Sequence, residues 1–151
     1  MNKIIDKYYK STEKILYSYK MLKVSIDNLE SEIVELKKES GMGAINYDTQ
    51  KTSPTFKINK NTEDQAIKNI TEIDLKEKLI EVTTNKISRI ERALDALNDK
   101  EKTIVEMRYF EGKQWFEIAY KIQYSERHCK RIRSNTIKKL AIGIYGERAV
   151  A

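Results

Sequence analysis

Residues 125–140 read Ser-Glu-Arg-His-Cys-Lys-Arg-Ile-Arg-Ser-Asn-Thr-Ile-Lys-Lys-Leu and hold six Lys or Arg against one acid, a local net charge of +5. The whole chain carries +6, so nearly all its imbalance sits on this one segment. Cys129, Ile132, Thr136, Ile137 and Leu140 recur at helical spacing. That predicts a helix with one buried face and an opposite face bearing Arg127, Lys130, Arg131, Arg133 and Lys138. A short basic helix with a polar first turn is what the major groove of DNA accepts. Ser125 is a good N-cap, and the electropositive first turn behind it can hold a phosphate. Glu126, Arg127, Lys130 and Arg131 follow the cap and would face base edges. Arginine makes paired hydrogen bonds to guanine, and a carboxylate accepts from cytosine. Arg133, Lys138 and Lys139 lie further along and would meet phosphates, which adds affinity without sequence information. His128 and Asn135 complete the set of candidate DNA-binding residues.

Other chemistries find little to work with. His128 and Cys129 are neighbours, so they point about 100° apart on a helix and make a poor metal pair. The chain has no second His or Cys, and no metal site is expected. It shows no phosphate-cradling glycine loop, no nucleophile–base pair and no carboxylate cluster; Asp and Glu alternate with Lys on helix faces. An enzyme is therefore not expected, nor a cofactor. Trp115 reads as a core anchor rather than a base-stacking residue. Tyr8 and Tyr19 fall on an apolar seam, so packing is favoured over single-strand stacking. A lone cysteine fits a reducing compartment. No stretch resembles a signal peptide or a membrane span, so a cytoplasmic protein with no membrane partner is expected.

Something must position the basic helix. At 151 residues with five Gly and one Pro, turns are scarce and long helices are expected. Ile5, Tyr8, Thr12, Ile15, Tyr19, Leu22, Ile26, Leu29, Ile33 and Leu36 follow an unbroken 3,4 spacing, a heptad pattern within a helix over residues 1–40. The eight Lys and seven acids of that segment read as a solvated coil surface. Such a stripe needs a partner helix: a later helix of the same chain, or a coiled-coil dimer or higher oligomer. Gly41 suits a C-terminal cap, and residues 41–62 have loop composition. Thr62-Glu-Asp-Gln65 resembles a capping box opening a second long helix, 63–97, with Ile73, Ile80, Ile87, Ile90, Leu94 and Leu97 on its seam.

Residues 98–146 then hold three shorter helices. Asn98 with Glu101 forms a capping signature, Gly112 stops the first helix, and a second carries Trp115, Ile118, Ala119 and Ile122. Small Ala119 suits a close helix crossing, and the few residues after Ile122 make the short turn of a helix-turn-helix. Gly143 and Gly146 close the ordered part, leaving 147–151 as a tail. The expected fold is all-α: a long antiparallel helical hairpin or coiled coil, followed by a DNA-binding helix-turn-helix domain.

The segment from about Ala96 to Gly146 resembles region 4 of bacterial sigma factors, and more closely the RinA/ArpU-like phage transcriptional regulators. The features that carry it are Glu101, Ile104-Val105, Arg108-Tyr109-Phe110, Trp115-Phe-Glu-Ile-Ala119, Ser125-Glu-Arg and Ile137-Lys-Lys-Leu140-Ala141 with Gly143-Ile-Tyr-Gly146. The resemblance implies a sequence-specific binder of double-stranded DNA that activates phage late or packaging genes together with host RNA polymerase. A sigma factor also needs a promoter-melting region, and the N-terminal heptads read as a coil seam instead.

Two rivals fit the same pattern. A phage small terminase subunit also joins a helix-turn-helix to oligomerising helices and recognises a packaging site; it predicts a ring of many subunits. A coiled-coil adaptor would use the basic helix on an acidic protein and predicts no DNA affinity at physiological salt.

Overall fold

Asp6 opens a helix that runs unbroken to Glu39 (α1), with Asp6 in its first turn and Lys37 and Lys38 in its last. Those charges complement the helix dipole at each end. Gly41, at φ +70°, follows as the residue that can turn the chain out of the helix. The computed structural model describes residues 3–41 and 60–151; the loop expected over 41–62 otherwise lies outside the described residues. A second long helix, α2, spans Lys60–Asp95. Thr62 therefore sits inside α2 rather than capping it, and the helix starts three residues before the expected 63.

The chain divides into two units. One comprises residues 24–84, the other residues 1–23 and 85–151. In the first, α1 and α2 run antiparallel. Lys76 donates to Glu32 at 2.6 Å, and Asn69 donates to Ser40 at 3.1 Å, so partners on α2 move backward as α1 moves forward. Ile33 and Ile73 are buried between the helices. Asn69 is buried too, and its amide is satisfied on both sides, since Gln65 donates to its oxygen at 2.9 Å.

The second unit holds the larger core. Leu16, Ile90, Ala93, Leu94, Val105, Tyr109, Ile137, Leu140 and Ile144 form one buried cluster. Leu16 has no exposed surface, and burial of such a side chain contributes about 2–3 kcal/mol. It lies one position beyond Ile15, off the seam read from the sequence. Thr12, the one polar seam residue, is fully buried and donates its hydroxyl to Tyr8 O at 2.8 Å, which removes the cost of a bare buried polar group.

Asn98 caps α3 (Asp99–Val105) as its sequence implies. Glu101 N donates to Asn98 Oδ1 at 2.9 Å, and Asn98 N donates back to Glu101 Oε2 at 3.2 Å. The helix then widens into a π-turn, Glu106–Phe110, where Glu111 N reaches Glu106 O at 3.0 Å. Tyr109 and Phe110 both reach α1 from this turn: Tyr109 packs on Tyr17 and Phe110 stacks on Tyr19, each pair with centroids 4.7 Å apart. Gly112, at φ +68°, ends the segment.

Helix α4 (Trp115–Ile122) and helix α5 (Glu126–Tyr145) follow. The C-terminus departs from expectation. Gly143, expected to close the ordered part, lies within α5, which runs on to Tyr145. A Cβ on Gly143 would stand 2.9 Å from Ala93 Cβ, so this glycine serves a close helix approach. Residues 147–151 are no free tail either. Gly146–Ala149 form a 3₁₀ turn with Ala149 fully buried, and Val150 bridges Ile4 in antiparallel fashion. Ile5 N donates to Ala149 O at 2.9 Å and Ala151 N to Lys3 O at 2.8 Å.

Candidate nucleic-acid interface

Three residues, Gln123 to Ser125, join α4 to α5. Gln123 takes the left-handed conformation at φ 61°, uncommon for a residue with a side chain. Tyr124 N then bonds back to Ala119 O at 3.2 Å. Ile104, Ile118 and Cys129 are buried together, with Trp115, Ala119, Ile122, Tyr124 and Ile132 packed around them. This second cluster fixes the angle between the two helices. Burial pushes the Cys129 thiol above its ordinary range, so Cys129 is a small core residue, as its spacing implies.

Ser125 caps α5 by accepting from His128 N at 3.3 Å. Helix α5 buries Cys129, Thr136, Ile137, Leu140, Ala141 and Ile144. Opposite them, Arg127, Arg131 and Lys138 are exposed, spaced four and seven residues apart, which aligns them on one face. Glu126 and Lys130 are exposed as well, and Asn135 is half-buried. The His128 ring packs edge-on to Tyr124, centroids 4.7 Å apart. Its Nδ1 lies 2.9 Å from Arg131 Nη2. A guanidinium only donates, so Nδ1 is the acceptor in this contact. The bond ties the Arg131 side chain to the first turn of α5.

Arg133 does not join this face. Its Nη1 reaches Glu13 Oε1 on α1 at 3.1 Å, and its side chain is mostly buried. The expected grouping with Arg127 and Arg131 fails for a local reason. Arg133 stands four residues after Cys129 and four before Ile137, both buried, so helical geometry turns it toward the core side. Lys139 is likewise engaged, donating to Glu101 Oε1 at 2.6 Å.

Two features escaped the sequence reading. Phe116 and Tyr120, four residues apart on α4, are 64% and 87% exposed. Trp115 does anchor the core cluster, but cations also gather on its ring. Arg108 Cζ lies 5.0 Å from the ring centroid, Arg133 Cζ 5.7 Å and Lys130 Nζ 5.8 Å. Among the described residues no group of three or more His, Cys, Asp or Glu could hold a metal ion. No helix among them is long and apolar enough to cross a membrane.

Residues 1–142 match the model of a family described as Protein of unknown function (DUF722). No curated protein and no solved structure matches the chain.

Proposed function

We propose that this chain, which belongs to the DUF722 family, is a sequence-specific DNA-binding regulator of transcription. One observation carries the reading. Arg127, Arg131 and Lys138 share an exposed face of α5, directly behind a three-residue turn and a serine cap. An exposed cationic helix face of this form suits the major groove, where the first turn meets base edges and later residues meet phosphates. Arg127 and Arg131 are assigned to bases, Lys138 to the backbone, and Glu126 to an amino group such as that of cytosine. Ser125 and His128 shape the first turn. The resemblance of residues 96–146 to sigma region 4 and to RinA/ArpU-like regulators extends the proposal to activation of phage or prophage genes alongside host RNA polymerase.

Footprinting and mobility shift on the DNA around the protein's own gene test this. A discrete protected site, bound at least a thousandfold more tightly than unrelated duplex, is the expected result. Equal affinity for all duplexes, governed only by salt, would leave a general DNA binder.

A second reading, a small terminase subunit, gains support from one feature. Leu75, Leu79 and Val82 lie exposed along α2, and an assembly could cover them. Mass measurement in solution separates the two: a monomer or dimer favours the regulator, a large ring the terminase.

A further inference from the structure

We propose that the Trp115 ring, with Arg108 and Lys130, forms an anchoring site for a DNA backbone phosphodiester. The inference rests on the duplex-binding reading of α5 and adds a second contact region, in which Lys130, beside the Trp115 ring, meets the backbone rather than the base edges its sequence position suggests. Its basis is an electrostatic imbalance. Three cations converge on one indole, the farthest at 5.8 Å from the ring centroid. The ring attracts each of them modestly, while like charges repel one another.

Available carboxylates do not offset this. Glu13 is committed to Arg133 and accepts from Tyr109 as well. Glu117 accepts from Gln114 N at 2.7 Å and lies 3.8 Å from Lys113. Among the described residues, neither Arg108 nor Lys130 pairs with a carboxylate. Arg108 spends one donor on Lys113 O at 3.0 Å, and a guanidinium has five. Lys130 is exposed and keeps its ammonium protons for a ligand. The missing partner is an anion with several acceptor oxygens. Lys130 and Arg131 are both exposed on α5 and point about 100° apart, so the site flanks the candidate groove-binding face. A duplex seated on α5 supplies a phosphodiester at such a border. Contact with the ring also restrains the long side chains in advance, which lowers the entropy cost of binding.

Trp115 is the only tryptophan, so its fluorescence reports from the site itself. The full chain is titrated with an unrelated duplex oligonucleotide across a range of salt. We expect a saturable change in emission. Lys130→Gln, a surface change, should weaken binding to every duplex by the same several-fold factor and lower the log–log salt slope by about one. The affinity ratio between target and unrelated duplex should stay constant. Arg108→Gln should act alike, and Arg108→Lys, which keeps the charge, should restore the slope. Wild-type binding to duplex with silent Trp115 emission and unaltered salt slopes in the variants would overturn the site while leaving the α5 reading intact. An emission change with inorganic phosphate but none with duplex would overturn it too. If wild-type protein binds no duplex at all, both readings fall together.

Discussion

Arg133 on α5 and Glu13 on α1 meet at 3.1 Å, and Tyr109 donates to the same carboxylate oxygen at 2.7 Å. This triad ties the basic helix to the long N-terminal helix and to the π-turn. Burial and the bond to Glu13 raise the Tyr109 phenol well above its ordinary range, so it acts as a fixed donor. Arg133 Nε is buried without a partner, which leaves the guanidinium dependent on Glu13. Glu13→Ala should therefore destabilise the fold by about 1–3 kcal/mol, most of it the cost of a stranded charge. The double change Glu13→Leu with Arg133→Met should cost less than the two single changes summed, because it leaves no charge unpaired. Urea unfolding of the single and double variants checks both statements.

Gly143 on α5 lies close against Ala93 on α2. Alanine is favoured over glycine inside a helix by about 1 kcal/mol, which alone would make Gly143→Ala stabilising. The new methyl would stand 2.9 Å from Ala93 Cβ, and neither carbon can rotate away. Overpacking of this kind costs about 1–3 kcal/mol, so a net loss of stability is expected. Ala93→Gly in the Gly143→Ala background should recover part of it. Thermal melts of the two variants decide the sign.

Much of this architecture was legible locally. The seam from Tyr8 to Leu36 could be read because helical burial has a fixed period, and Asn98 and Ser125 because a cap is set by residues three apart. What was missed depends on distant partners. Leu16 is buried in a cluster with residues of α2, α3 and α5, and its neighbours in sequence do not say so. Val150 pairs with Ile4 across nearly the whole chain, so residues 147–151 looked like a tail. Gly143 carries the signature of a helix end and serves a helix crossing. Arg133 was readable: its four-residue spacing from Cys129 and Ile137 places it inward, but its charge suggested otherwise.

Lys23, Glu91 and Tyr19 make the triad's exposed counterpart. Lys23 Nζ lies 2.8 Å from Glu91 Oε1, and Tyr19 donates to that oxygen at 2.7 Å. The bond to Glu91 pushes the Lys23 ammonium up to about 12, and the bonds from Lys23 and Tyr19 lower the Glu91 carboxyl. A lowered carboxylate contributes stability that is present above its unfolded value of 4.5 and is lost as pH falls through the folded value. The raised Lys23 contributes stability that is present below 10.5 and is lost as pH rises through about 12. Both side chains are about half exposed, so solvent screening limits the pair to a few tenths of a kcal/mol. Glu91→Gln should flatten the acid limb of the stability–pH curve by that amount and leave neutral-pH helicity unchanged.

Arg127 and Arg131 differ from Lys138 in what they should read. The two arginines stand in the first turns of α5, and Lys138 stands two turns further on, all three exposed. None belongs to either buried cluster, so replacing them should leave circular dichroism and melting temperature nearly unchanged. Arg127→Ala with Arg131→Ala should erase base discrimination, each lost base contact being worth about 1–3 kcal/mol. Residual binding to any duplex should survive through the remaining cations. Lys138→Ala should do the opposite: weaken all duplexes about equally and reduce the salt slope by about one, with site preference kept. His128→Ala removes the acceptor that holds Arg131 and should weaken discrimination less than the double change. Competition binding with matched target and scrambled duplexes resolves the three patterns. Loss of discrimination from Lys138→Ala, with none from the arginine pair, would reverse the assignment of bases and phosphates along α5.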